Sequence, residues 1–308
     1  MSTTSAPAQA PGAPLAQGLD LLGDQWALLI LQSVFLRIRR YNDLRARLGV
    51  ADAVLAARLR GLVEAGVLAQ EPYQDERRMR HEYMLTPRGL DLWQLLVAMW
   101  AWERRWIPGR DGDLPALRHL GCGATVPELA CGRCGERVSA TDTAVERPPD
   151  VPIAAAMPAR RFRRQGWERV ASDPMLFYPQ TMEILGDRWA TGILVAAFLA
   201  ARRFADFQRE LSIGPSVLTE RLRRLIDLGV LATAPSTDRS GASEYRLTPK
   251  GRAFFPVFAL LVAWASTHLD GEPGVRILHP ACGHEFAPGL RCDRCGQALD
   301  RREVRFEL

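Results

Sequence analysis

The sequence predicts a mainly α fold with short β-hairpins (α+β), built twice, each copy followed by a small cysteine-rich element. Three observations predict it. Leu22-Gly23-Asp24-Gln25-Trp26-Ala27 returns as Leu185-Gly186-Asp187-Arg188-Trp189-Ala190, an offset of 163 residues. At that offset Arg39-Arg40, Asp43, Val54-Leu55, Arg58-Leu59-Arg60 and Gly66-Val67-Leu68 meet Arg202-Arg203, Asp206, Val217-Leu218, Arg221-Leu222-Arg223 and Gly229-Val230-Leu231. One residue is then lost, and Tyr83 to Gly89 pairs with Tyr245 to Gly251. A period this long marks a duplicated domain, not a stacked array of small repeats. Second, both copies show the same succession of helical periodicities interrupted by one β-prone pair. Third, all six cysteines fall in a further repeat that follows each copy.

The elements follow in order. Residues 25–36 carry Trp26, Leu29, Ile30 and Phe35 on one helical stripe. Residues 41–48 place Tyr41, Leu44 and Leu48 inward. Asp52 is expected to cap a third helix running to about Ala65, with Gly66 as its left-handed terminator. Residues 67–73 and 82–85 read as strands joined by a polar loop over 74–81. Thr86 as cap and Pro87 at the first position start a closing helix to about Trp106. The second copy repeats this over 188–199, 204–211, 215–228, a shorter and less basic hairpin loop at 236–243, and 249–269. Three short helices, a hairpin and a closing helix make a winged helix-turn-helix.

This pattern resembles the HxlR-type winged-helix transcriptional regulators. Leu-Gly-Asp-x-Trp, Arg-Arg-Tyr/Phe-x-Asp, Val-Leu-x-x-Arg-Leu, Gly-Val-Leu and Tyr-x-Leu-Thr-Pro-x-Gly appear in order, twice, over about 21–106 and 184–269. The resemblance implies DNA binding and dimerisation through terminal helices. In this fused chain it implies an intramolecular pseudo-dimer, or halves that pair elsewhere.

The cysteine repeats read His119-x2-Cys122 then Cys131-x2-Cys134, and His279-x2-Cys282 then Cys292-x2-Cys295. Two such knuckles complete a closed Cys3His site, so the expectation is one structural zinc per repeat, two in all, each on a zinc-ribbon-like element. His284 is an alternative ligand to His279, but its counterpart in the first repeat is Ala124, whereas that of His279 is His119. Structural disulfides fit poorly with three thiols per cluster, while thiol redox chemistry stays open.

Length and composition are those of an ordinary globular chain: 308 residues, 47% hydrophobic and 24% charged. The net charge of +5 supports nucleic-acid binding only where it is clustered. Lys250 is the only lysine. No apolar run approaches the roughly 20 residues of a membrane helix, and the first 17 residues lack a signal peptide's pattern, so a cytoplasmic location is expected. The expected organisation is a disordered tail (1–17), domain one (18–110), cysteine element one (111–145), a linker (146–180), domain two (181–271) and cysteine element two (272–308). Within the linker, the basic run 160–165 reads as a solvated segment or a nucleic-acid arm.

In a helix-turn-helix the third helix reads the major groove. The second copy offers Ser216, Thr219, Glu220 and Arg223 opposite a Leu218, Leu222, Leu225 stripe. The first offers Ala53, Ala56, Ala57 and Arg60. Arg58 and Arg221 flank the apolar stripes, which suits structural ion pairs. Phosphate contacts are expected from Arg39, Arg40, Arg202 and Arg203, from Arg77, Arg78 and Arg80 in the first wing, and from Arg239 in the second. The leading expectation is a sequence-specific transcriptional regulator of double-stranded DNA without enzymatic activity, since no Ser/His/Asp set, phosphate loop or open metal set is present. A protein-interaction adaptor and a thiol-based redox regulator remain alternatives, as do a small-molecule effector and further oligomerisation. Trp93, Trp100, Trp102 and Trp106 line a pocket or form core and domain interface.

Overall fold

Asp24 decides where the first long helix begins. Its carboxylate accepts from Trp26 N and Ala27 N at 3.0 and 3.1 Å, and Asp187 does the same for Trp189 N and Ala190 N at 2.9 Å each. Capping of this kind satisfies amides that a helix start leaves unpaired. The computed structural model describes residues 13–75, 78–109, 114–147, 153, 179–236, 243–272 and 274–307.

The first half runs α1 (Pro14–Leu22), α2 (Gln25–Phe35), α3 (Tyr41–Leu48), α4 (Asp52–Glu64), β1 (Leu68–Asp75), β2 (Arg78–Leu85), α5 (Pro87–Leu90) and α6 (Trp93–Trp106). Its cysteine element adds β3 (Ala116–His119), β4 (Gly123–Ala124), β5 (Glu128–Cys131) and β6 (Ala144–Glu146). The second half runs α7 (Pro179–Leu185), α8 (Arg188–Phe198), α9 (Phe204–Leu211), α10 (Pro215–Asp227), β7 (Leu231–Pro235), β8 (Ser243–Leu247), α11 (Pro249–Arg252) and α12 (Phe255–His268). Its cysteine element adds β9 (Arg276–His279), β10 (His284–Glu285), β11 (Pro288–Arg291) and β12 (Val304–Glu307). Gly66 and Gly229 end α4 and α10 at φ +66° and +69°, where a side chain would be strained. Thr86 and Thr248 cap α5 and α11 through Gly89 N and Gly251 N.

Several expectations need correcting. The tail does not extend to residue 17: α1 begins at Pro14 and buries Leu15, Leu19 and Leu22. The linker likewise gives way to α7 before residue 180, with Met182, Ile184 and Leu185 buried. Asp52 caps nothing; the cap position is Ala51, and the Asp52 carboxylate meets Tyr41 Oη and Arg45 Nε instead. Each closing helix is broken in two. In the second half Pro256 lacks the amide that would continue the ladder from α11. The first wing is tighter than expected, with Asp75 paired to Arg78. Its Arg77, the Arg239 of the second wing and the basic run 160–165 lie outside the described residues.

One continuous hydrophobic core spans both halves. The Leu-Gly-Asp motifs meet at its centre. A Cβ on Gly23 would sit 2.4 Å from Leu19 O and 2.9 Å from Leu185 O, and one on Gly186 would sit 2.6 Å from Met182 O. The closing helices reach across symmetrically: Trp102 Nε1 donates to Lys250 O and Trp264 Nε1 to Arg88 O, each at 3.0 Å. The two seams beside them differ. In one, the fully buried Glu103 of α6 accepts from Gln180 N and Thr181 N at 2.7 Å each and from Thr181 Oγ1 at 3.1 Å, capping the first turn of α7. In the other, Gly18 of α1 lies so close to Ala265 of α12 that an added Cβ would be 3.2 Å from the alanine's.

The cysteine elements are not separate. Strand β12 pairs with β3, β6 with β9 and β11 with β5, so every one of these ladders joins residues of opposite halves. The expected independent elements at 111–145 and 272–308 are one interlocked body.

Candidate nucleic-acid interface and metal centres

Helix α10 buries Leu218, Leu222 and Leu225 and leaves Ser216, Thr219, Glu220 and Arg223 exposed, as the spacing predicts. Thr219 Oγ1 donates to Pro215 O at 2.9 Å, which leaves its lone pairs outward. Helix α4 buries Leu55, Leu59 and Leu62; Ala53 and Arg60 are exposed, and Ala56 and Ala57 are half-buried. The flanking arginines are structural, as expected. Arg58 pairs with Asp24 at 2.8 Å and Arg221 with Asp187 at 2.7 Å, so each third helix is tied to the cap of the first long helix in its half.

The repeated Arg-Arg pairs join α3 and α9 to their wings. Arg39 O accepts from Tyr83 N at 2.9 Å, and Arg202 O from Tyr245 N at 2.7 Å. Arg40 and Arg202 are exposed, and Arg39 and Arg203 half-buried. The Arg40 guanidinium lies 4.4 Å from the centre of the Tyr73 ring. Around it, a cleft of about 510 Å³ between α3 and the first wing brings Arg40, Arg80 and His81 together with Tyr41, Tyr73 and Tyr83. Asp206 opens the corresponding helix α9. Burial works against its ionisation, but the Arg203 and Arg202 amides and Arg209 outweigh this and hold its pKa below the ordinary value.

All eight predicted metal-binding residues converge, but not in the expected sets. One group is His119, Cys122, Cys292 and Cys295; the other is Cys131, Cys134, His279 and Cys282. Within each group the ligand atoms lie within 4.8 Å of one another. Each half therefore gives one knuckle to each site, which corrects the expectation of one site per repeat. His119 Nδ1 is 3.3 Å from Cys122 Sγ and 3.5 Å from Cys295 Sγ, and the Cys122 and Cys292 sulfurs are 3.3 Å apart. In the second group the Cys131 and Cys282 sulfurs are 4.0 Å apart, and Cys134 Sγ is 3.7 Å from His279 Nδ1. Tetrahedral zinc with Zn–S near 2.3 Å places its sulfurs about 3.8 Å apart, which the second group's 4.0 Å approaches and which the Cys122–Cys292 pair would reach by a small separation. His284 stays outside: it is exposed, with its Nδ1 on Cys282 O.

The surroundings favour the thiolate at one cysteine of each group and the thiol at its neighbour. Burial raises the Cys131 and Cys292 pKa values, but hydrogen bonds outweigh it and bring both to about 6. For Cys131 these come from the Cys134 and Arg133 amides and His279; for Cys292 they come from Thr125, the Cys295 and Arg294 amides and Cys122. Cys122, hydrogen-bonded to Cys292 and desolvated, is pushed up to about 12. Gly135 and Gly296, at φ +77° and +73°, make the turns that follow the second knuckles. His119 turns its other nitrogen toward Glu303 at 4.0 Å, the outer carboxylate that metal-binding histidines commonly face.

The HxlR-like helix-turn-helix family model matches residues 21–111 and 184–273, more than half of the sequence. The chain belongs to this family. Among its relatives is an uncharacterized HTH-type transcriptional regulator of Mycobacterium tuberculosis, 37% identical over 139 residues, which are 45% of this chain and 87% of that protein. Another, from Synechocystis, is 34% identical over 95 residues, 30% of this chain and 70% of the relative. The mycobacterial relative is thus about half as long as this HxlR-like chain. A solved structure from Pseudomonas aeruginosa aligns with 45% of this chain and 94% of its own, at 27% identity and a TM-score of 0.34. No helix among the described residues is long and apolar enough to cross a membrane.

Sequence reasoning missed three residues: the buried Glu103 and Thr181 of the seam between the halves, and the exposed Glu303 beside His119. Glu103 had one available signal, an acidic residue between Trp102 and Trp106 on an otherwise apolar closing-helix face.

Proposed function

We propose that this chain is a sequence-specific transcriptional regulator in which the two winged domains act as an intramolecular pseudo-dimer on one asymmetric DNA site. The observation that carries this is the pair of third helices, each buried on its leucine stripe and free on its opposite face, set on halves that share one core. Base contacts specify and phosphate contacts position. Ser216, Thr219 and Arg223 carry hydrogen-bonding groups suited to base edges, so the second half sets most of the sequence preference. In the first half Arg60 is the base-reading donor and the alanines allow close approach. Arg39, Arg40, Arg202 and Arg203 neutralise phosphates, together with Arg77, Arg78, Arg80 and Arg239 of the wings. Arg58 and Arg221 hold the helices in place.

Two zinc ions stabilise the interlocked cysteine body. The closed Cys3His donor sets and their spacings support this, and four protein ligands leave no position for water or substrate. The alanine-rich face of α4 favours one second reading, in which the first half binds a protein surface. Selection of bound DNA from a random pool by the full chain tests both. The pseudo-dimer yields one asymmetric site with its better-defined half under the second domain. No enriched sequence, or a perfect palindrome, would contradict it.

A further inference from the structure

The ligands of each metal group come from both halves, and so do the strands that frame them. His119 ends β3, Cys131 ends β5, His279 ends β9, and Cys292 follows β11. The cross-half ladders are only three or four residue pairs wide among the described residues. Ladders so short are marginal without further support. The same body also grips the closing helices across the halves. Leu290 N donates to Gln94 Oε1 of α6 at 3.1 Å, and the Phe306 ring meets Trp100 of α6 edge-on at 5.4 Å.

Resting on the zinc reading above, we propose that the two ions are fasteners between the halves, and that metal supply thereby governs the two-domain grip on DNA. A loaded site holds three thiolates and a neutral imidazole, with any remaining thiol protons released to solvent. The site then carries a single net negative charge around its ion. Coordination pins the strand ends, closes the ladders and seats the second half's strands on the first half's closing helix. Without the ions this fastening opens, because ladders this short are left to hold the ligand ends together alone. The helical seam through Trp102, Glu103 and Trp264 remains, so the halves stay joined while their relative placement loosens. Binding that needs both domains then loses the advantage of a fixed spacing, whereas binding by one domain does not.

Metal stoichiometry of the full chain, by native mass spectrometry, tests the sharing. Wild type should hold two ions. C122S/C292S removes two ligands of one shared site and should hold one ion. C122S/C131S removes a ligand from each site and should hold fewer than C122S/C292S. The reverse order, with C122S/C131S keeping one ion and C122S/C292S none, overturns the sharing and leaves the zinc reading standing. A wild-type chain purified without chelator that holds no metal overturns both. If the variants do not fold, cadmium-113 NMR of the wild-type chain decides the matter. One cadmium should couple to the β-protons of Cys122, Cys292 and Cys295, and the other to those of Cys131, Cys134 and Cys282. Chelation of wild type should weaken binding to the selected two-half DNA by about tenfold or more, a modest part of what linked binding sites gain. Binding to a single half-site should stay unchanged. Equal losses on both DNAs, or none on either, would overturn the coupling to DNA.

Discussion

Replacing Glu103 with Ala removes a buried carboxylate that ties α6 of the first half to α7 of the second. Its Oε1 accepts two amide protons at 2.7 Å and a hydroxyl at 3.1 Å, and the side chain is fully buried. Hydrogen bonds to a charged group are worth about 1.5–3 kcal/mol each, and a buried donor left unpaired costs about 1–3 kcal/mol. The three bonds share one acceptor and are not additive, and water enters a truncated seam, so a net loss of about 3 kcal/mol is expected. Glu103→Gln keeps an acceptor without the charge and should lose roughly half as much, since charge-assisted bonds are about twice as strong as neutral ones. Urea denaturation followed by circular dichroism measures both. Loss of stability with an unchanged slope would match a local defect, and a lower slope would mean that the halves unfold separately. A Glu103→Ala protein within about 0.5 kcal/mol of wild type, the range of an ordinary surface change, would refute the role assigned to this seam.

Gly23→Ala should destabilise by about 1–3 kcal/mol, because its Cβ would press on the Leu19 and Leu185 carbonyls; the thermal midpoint reads this. Arg58→Ala should cost about 1 kcal/mol through its pair with the buried Asp24, yet leave sequence preference in the selection assay unchanged. Arg223→Ala should weaken binding by about 1–3 kcal/mol and relax preference in the second half-site, as loss of a base contact does. The combined Arg77→Ala, Arg78→Ala change should weaken binding to all sequences alike and flatten its dependence on salt. If the wing change alters preference more than Arg223→Ala does, the division of labour between the halves is wrong.

The parts legible in the sequence are those set by local chemistry. Helix periods, the Thr-Pro starts, the glycine ends and the inward-flanking placement of Arg58 and Arg221 all follow from residues close in sequence or on one helical face, whereas their partners Asp24 and Asp187 do not. The eight metal-binding residues were legible for the same reason, since a knuckle is a local turn. Which knuckle meets which was not. The spacing from Cys122 to Cys131 is compatible with a site inside one repeat, and only the pairing of β5 with β11 and of β3 with β12 brings Cys292 to Cys122. The short helices α1 and α7 were hidden by the small and proline-rich residues beside them, although Leu15, Leu19 and Leu22 carry a helical spacing. Glu103 was illegible as a cap because its helix belongs to the other half.

A homodimer built by a two-fold axis must repeat every contact, so any buried acid at its interface arrives twice, each time facing the same neighbour. The two seams of this chain break that rule. Glu103 meets the amides of a helix start, while its counterpart Ala265 meets Gly18 in the middle of a helix. Were two first halves to associate, each Glu103 would face a glycine whose helix has no spare amide there. Were two second halves to associate, each Thr181 would be forced onto an alanine that already crowds a bare glycine. Within one chain the interface need not be self-complementary, and contacts this unequal fit the pairing of unlike halves better than that of like ones.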